Sequence, residues 1–64
     1  MKLTDFWERM ESHFGDTYAH SWASDTVLAE LDDLTVKQAL AAGVETVDVW
    51  RAVWRYERMP ASER

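Results

Sequence analysis

Apolar residues recur at helical spacing from the start of the chain. Leu3, Phe6, Trp7, Met10 and Phe14 make one wide stripe, which predicts a helix over 4–14. Thr4 is placed to cap it, Asp5 and Glu8 suit the positive end of its dipole, and Gly15 ends it. Ala19, Trp22, Ala23, Val27, Leu28 and Leu31 form a second stripe, opened by Asp16 or Thr17. Ser24, Asp25 and Thr26 interrupt it with side chains that compete for backbone hydrogen bonds. The helix is expected to run through them to Leu31, the alternative being a bend or restart near Ser24–Asp25. Asp32-Asp33 stops it, because acids are unfavourable at the C-terminal pole.

The segment TVKQALAAGVETVDVWRAV follows. Thr35-x-x-Gln38 has the capping-box spacing, Val36, Ala39 and Leu40 face inward, and Gly43 stops the helix. Val44 can fold back onto the helix end. Thr46 is the better cap for a last helix with Val49, Ala52, Val53 and Tyr56 on its inner face and Met59-Pro60 at its end. Residues 61–64 are expected to fray. No period-2 segment, repeat or low-complexity linker occurs. The fold class is therefore all-α: one domain, residues 1–64, a small bundle of three to four short helices, the last two arranged as a helix-turn-helix-like unit. Its expected core is Leu3, Phe6, Trp7, Met10 and Phe14 from the first helix, with Trp22, Leu28, Leu31 and Leu40 from the middle and Val49, Trp50 and Val53 from the last.

Composition changes this picture in two ways. A chain of 64 residues buries only about 60% of the surface its unfolded form exposes. It has no cysteine, so no disulfide adds stability, and four tryptophans, two phenylalanines and two tyrosines must supply much of the core instead. The formal charge of −5 is uneven. Residues 1–34 carry eight acids against Lys2 and Arg9, a net −6; residues 35–64 carry four acids against five bases, a net +1. The acidic half repels nucleic acid and anionic lipid. No leader pattern and no apolar run near 18 residues occurs, so a soluble, cytoplasmic protein is expected.

The pieces LTDFWERMESHFG, YAHSWASDTVLAEL, TVKQALAAG and VWRAV, with the proline-containing tail, resemble in that order a short actinobacterial family, domain of unknown function 3046. The resemblance covers nearly the whole chain, about residues 2 to 64. Asp32-Asp33-Leu34 stands where the resemblance leads one to expect a glycine-rich turn, and Thr46 where it leads one to expect a proline opening the last helix. The family implies no activity and no catalytic residues. Its genes often lie close to those of the recombinase A system, an association with DNA metabolism.

Candidate chemistry centres on the last helix. In a helix-turn-helix protein its first turn would meet base edges, and here that turn offers Glu45, Thr46, Val47 and Asp48. Arg51, Arg55 and Arg58 follow at i, i+4, i+7 as a face for phosphates, enough for a salt slope of about −3. Trp50 and Trp54 lie about 40° apart around the helix. Trp50 is expected in the core, and Trp54 beside the arginines, where an exposed tryptophan has the composition of an interaction hot spot. Val47, Trp54, Arg51, Arg55 and Arg58 are thus the candidate partner surface. A patch of Trp54 and Val47 would also allow a homodimer. His13 and His20 lack the converging ligands of a zinc site, and His20-Ser21 lacks an orienting group, so no metal, cofactor or catalytic activity is expected. The expected function is a non-catalytic protein-interaction module with another protein as partner. The alternative is a nucleic-acid-associated accessory protein in DNA repair or regulation, which the charge disfavours.

Overall fold

The computed structural model describes residues 1–63. Four helices are found there: α1 (Leu3–Phe14), α2 (Tyr18–Asp25), α3 (Val36–Ala41) and α4 (Thr46–Glu57). Between α2 and α3 a two-residue strand pair, β1 (Val27–Leu28) and β2 (Leu34–Thr35), closes an antiparallel hairpin around a 3-10 turn at Ala29–Leu31. The all-α reading holds, with this small hairpin as its one departure.

The hairpin replaces the second half of the expected second helix. Ser24 Oγ donates to the His20 carbonyl at 3.0 Å, and Thr26 takes an extended conformation at φ −96°, ψ 120°. The helix ends there because three successive residues favour local side-chain bonds over the helical ladder. Val27, Leu28 and Leu31 are spaced as a helical face but do not share one. Strand alternation points Val27 outward, 51% exposed, and Leu28 inward. Asp32 and Asp33 then take left-handed conformations, φ 57° and 62°, and the Asp33 amide returns to the Leu28 carbonyl at 3.1 Å. Glycine is the usual residue at such angles, and aspartate is among the few others that tolerate them.

The ends of the other helices are cut by recognisable devices. Thr35 caps α3 as its spacing predicts. Its hydroxyl accepts from the Gln38 amide (3.1 Å), and its own amide donates to Gln38 Oε1 (2.9 Å). Gly43, at φ 91°, closes α3 while the Val44 amide reaches back to the Ala39 carbonyl. The same geometry closes α4 at Arg58, φ 53°. The Met59 amide bonds the Trp54 carbonyl, and Met59 is buried. So α4 stops two residues short of the expected Met59-Pro60. The expected caps Thr4 and Thr46 are both helical residues, the cap positions being Lys2 and Glu45. Thr17 does hold the cap position of α2, without a side-chain bond. The tail expected to fray carries a 3-10 turn at Ala61–Glu63, and Arg64 lies outside the described residues.

The core is centred on Phe6, Met10, Leu28, Val36, Val49, Trp50 and Val53, all essentially buried. Phe6 meets Trp50 edge to face at 6.3 Å, which joins α1 to α4. Phe14 stacks on Trp22 at 4.4 Å, and Trp22 meets Tyr56 at 5.8 Å, so a second aromatic row binds α1, α2 and α4. Trp7, Phe14 and Leu40 pack on the core from its edge. Besides Val27, two expected inward residues are exposed. Leu3 is 53% exposed, since it lies in the first turn of α1, ahead of the buried contacts that begin at Phe6. Tyr56 is 54% exposed; its ring edge meets Trp22 while the rest stays in water.

Replacing Arg58 by glycine removes the left-handed penalty at the end of α4 and is expected to stabilise the protein by about 1 kcal/mol. Thr35→Ala is expected to cost about 1 kcal/mol through loss of the capping box. Urea unfolding followed by tryptophan fluorescence measures both; a lower midpoint for Arg58→Gly would contradict the cap assignment.

Candidate interaction surface

The residues expected to form one face along α4 do not remain together. Arg51 and Arg55 do, one helical turn apart on α4. Arg58 leaves the helical face, because its left-handed conformation turns the chain away after Glu57. Trp54 is half-buried against the core, and its indole Nε1 donates to the Pro60 carbonyl at 3.0 Å. The tail thus folds onto the side chain read as an exposed anchor. Val47 is half-buried, and Thr46 donates its hydroxyl to the Met1 carbonyl. The first turn of α4 is therefore in contact with the start of the chain.

Arg55 and Arg51 instead line an open groove of about 340 Å³ between α4 and the hairpin. Ala52, Leu31, Leu34 and Val44 form its apolar lining. Glu30 and Asp32 stand on the hairpin side, and Asp48 on α4. Arg55 Nη1 donates to Glu30 Oε2 at 2.6 Å across the groove, both side chains about half exposed. Arg51 approaches Asp48 at 3.9 Å. Beyond the Arg55–Glu30 pair lies a smaller hollow of about 200 Å³, where Leu28, Ala29 and Tyr56 join the lining. The ion pair and Ala52 line both hollows. The hairpin side of this strip was not legible in the sequence, because it depends on a turn that the helical spacing of Leu28 and Leu31 conceals.

The histidines make structural contacts between helices. His13 Nε2 donates to Glu57 Oε1 at 3.2 Å, linking α1 to α4. His20 Nε2 donates to Glu11 Oε2 at 3.0 Å, linking α2 to α1, while its ring stacks on Trp7 at 4.4 Å. Arg9 lies 5.9 Å over the Trp50 ring. Among the described residues no group of three or more His, Cys, Asp or Glu is placed to hold a metal ion. A further depression of about 380 Å³, on the exposed side of α1, is lined by Met1 and the polar Asp5, Glu8, Arg9 and Ser12. It lacks the apolar floor of the groove beside α4.

No helix among the described residues is long and apolar enough to cross a membrane. Compared with known proteins, the chain matches the family model described as protein of unknown function DUF3046 over residues 1–62. No curated protein and no solved structure matches it.

The Arg55–Glu30 pair, exposed on both sides, is expected to contribute only about 0.2–1 kcal/mol to folding. A double-mutant cycle with Arg55→Ala and Glu30→Ala, read by denaturant unfolding, checks this. A coupling well above that range would make the pair a structural brace rather than a surface feature.

Proposed function

The chain belongs to the DUF3046 family, and we propose that it is a non-catalytic module that binds another protein in the cytoplasm, without a cofactor. The observation that carries this reading is the groove between α4 and the hairpin. Its apolar floor is flanked by charges of both signs, and Tyr56 projects at its end with about half its surface in water. Apolar centre, polar rim and a partly exposed aromatic are the composition of protein interfaces.

The groove also weighs against nucleic acid as the partner. Arg55 spends its guanidinium on Glu30, and Arg51 lies beside Asp48. Three carboxylates, Glu30, Asp32 and Asp48, line the same surface, where they would meet phosphates of like charge. A recognition helix places its first turn in the major groove, yet here that turn holds Glu45 and Asp48 and is bonded to the Met1 carbonyl through Thr46.

Fluorescence anisotropy of labelled duplex and single-stranded DNA, at about 50 mM and about 200 mM salt, separates the readings. The expected result is no binding up to high micromolar protein. Binding at low salt that falls steeply as salt rises would overturn the module reading in favour of a DNA-associated protein. Ala29→Arg, which places a long side chain in the smaller hollow, is expected to leave the circular dichroism unchanged and to abolish retention of partner on the immobilised protein. Equal retention by this variant would place the interface elsewhere.

A further inference from the structure

The two banks of the groove carry opposite charge. Arg51 and Arg55 rise from α4, and Glu30 and Asp32 from the hairpin, with the apolar floor of Leu31, Leu34 and Ala52 between them. Rotation by half a turn about an axis along the groove exchanges the banks. Arg51 of each copy then lies over Asp32 of the other, and the two grooves face each other. A surface of this kind is complementary to itself, the requirement of an isologous dimer. Resting on the interaction reading above, we infer that the partner of the groove is a second copy of this chain, docked face to face about that axis.

Arg55 and Glu30 are already paired within one copy, at 2.6 Å, which leaves Arg51 and Asp32 for the partner. Among the described residues the Asp32 carboxylate has no ion pair or hydrogen bond. Arg51 reaches Asp48 only at 3.9 Å, against about 2.7–2.9 Å for a charge-assisted hydrogen bond. In the dimer Arg51 of each copy faces Asp32 of the other, so the symmetry forms two new pairs. Asp48 sits one turn from Arg51 on the same bank and is the one carboxylate there that opposes the arrangement. The formal charge of −5 on each copy repels at a distance, but screening over about 8 Å at 0.15 M salt weakens that repulsion, and the face itself carries only one acid more than its bases.

Tyr56 supplies the anchor. It lines the smaller hollow and is 54% exposed, so its ring meets the corresponding surface of the other copy. A standard interface buries about 800 Å² per partner. That is about a fifth of the 4146 Å² this chain exposes.

Sedimentation equilibrium of the full chain in 0.15 M salt, from about 10 µM to about 1 mM, tests the inference. The weight-average mass is expected to rise toward twice that of one chain. Arg51→Glu is expected to raise the dissociation constant at least about tenfold with unchanged circular dichroism. Adding Asp32→Arg to it should recover most of the loss, since Arg58 already holds the left-handed conformation that this position needs. Asp32→Asn, which keeps the turn, should weaken association on its own. A single-chain mass throughout, or a dimer indifferent to both Arg51→Glu and Asp32→Asn, would overturn the inference. Neither result bears on the module reading, which stands or falls on the DNA titration and the Ala29→Arg comparison.

Discussion

Phe6 and Trp50 meet edge to face where α1 crosses α4, and the other buried contacts are arranged around that meeting. Both rings are essentially removed from water. In a chain of 64 residues the buried fraction is small, so a few large side chains must do what many smaller ones do in a larger domain. Removing either ring would open a void where the first and last helices share a core. Small residues fit the remaining space. Ala19, Ala23, Ala39 and Ala52 are all buried, which lets the helices and the hairpin approach closely around two large rings.

Outside the core, charge joins elements more than it advertises a ligand. His13 and Glu57 tie α1 to α4, His20 and Glu11 tie α2 to α1, and Arg55 and Glu30 tie α4 to the hairpin. Each pair is partly exposed and individually weak. Together they draw most of the described histidine and helix-four arginine chemistry into contacts between elements. The groove beside α4 differs in that it stays open and that, among the described residues, its rim leaves Asp32 without an ion pair. This is why function is argued from that surface rather than from the histidines.

The helices were legible wherever sequence pattern and local chemistry agreed. Thr35 and Gln38 announce the start of α3, Gly43 its end, and the stripe through Phe6 and Met10 fixes α1. The hairpin was not legible, because Val27, Leu28 and Leu31 repeat at helical spacing although a strand and a 3-10 turn carry them. Its signal lay in Ser24-Asp25-Thr26, which break a helix, and in Asp32-Asp33, residues that favour turns. Met59 escaped notice because it is buried by the cap that closes α4, after the helical stripe has ended. Of the candidate site, Arg51 and Arg55 were readable from spacing. Their opposing bank was not, since only the fold brings Glu30 and Asp32 beside them.

The pairing of the first helix with the last also governs how the chain reaches its fold. α1 packs on α2, α2 on α3 and α3 on α4, so most interfaces join neighbours in sequence. Such contacts close short loops and form early, in the regime where helical domains fold within microseconds to milliseconds. The Phe6–Trp50 and His13–Glu57 contacts are different, because each closes 44 residues of chain. Their closure, with that of the Thr46–Met1 bond on the same side of the fold, carries the largest loop entropy among the described contacts. The search that limits folding is therefore the return of α4 to α1. Residues along that seam set the speed of folding.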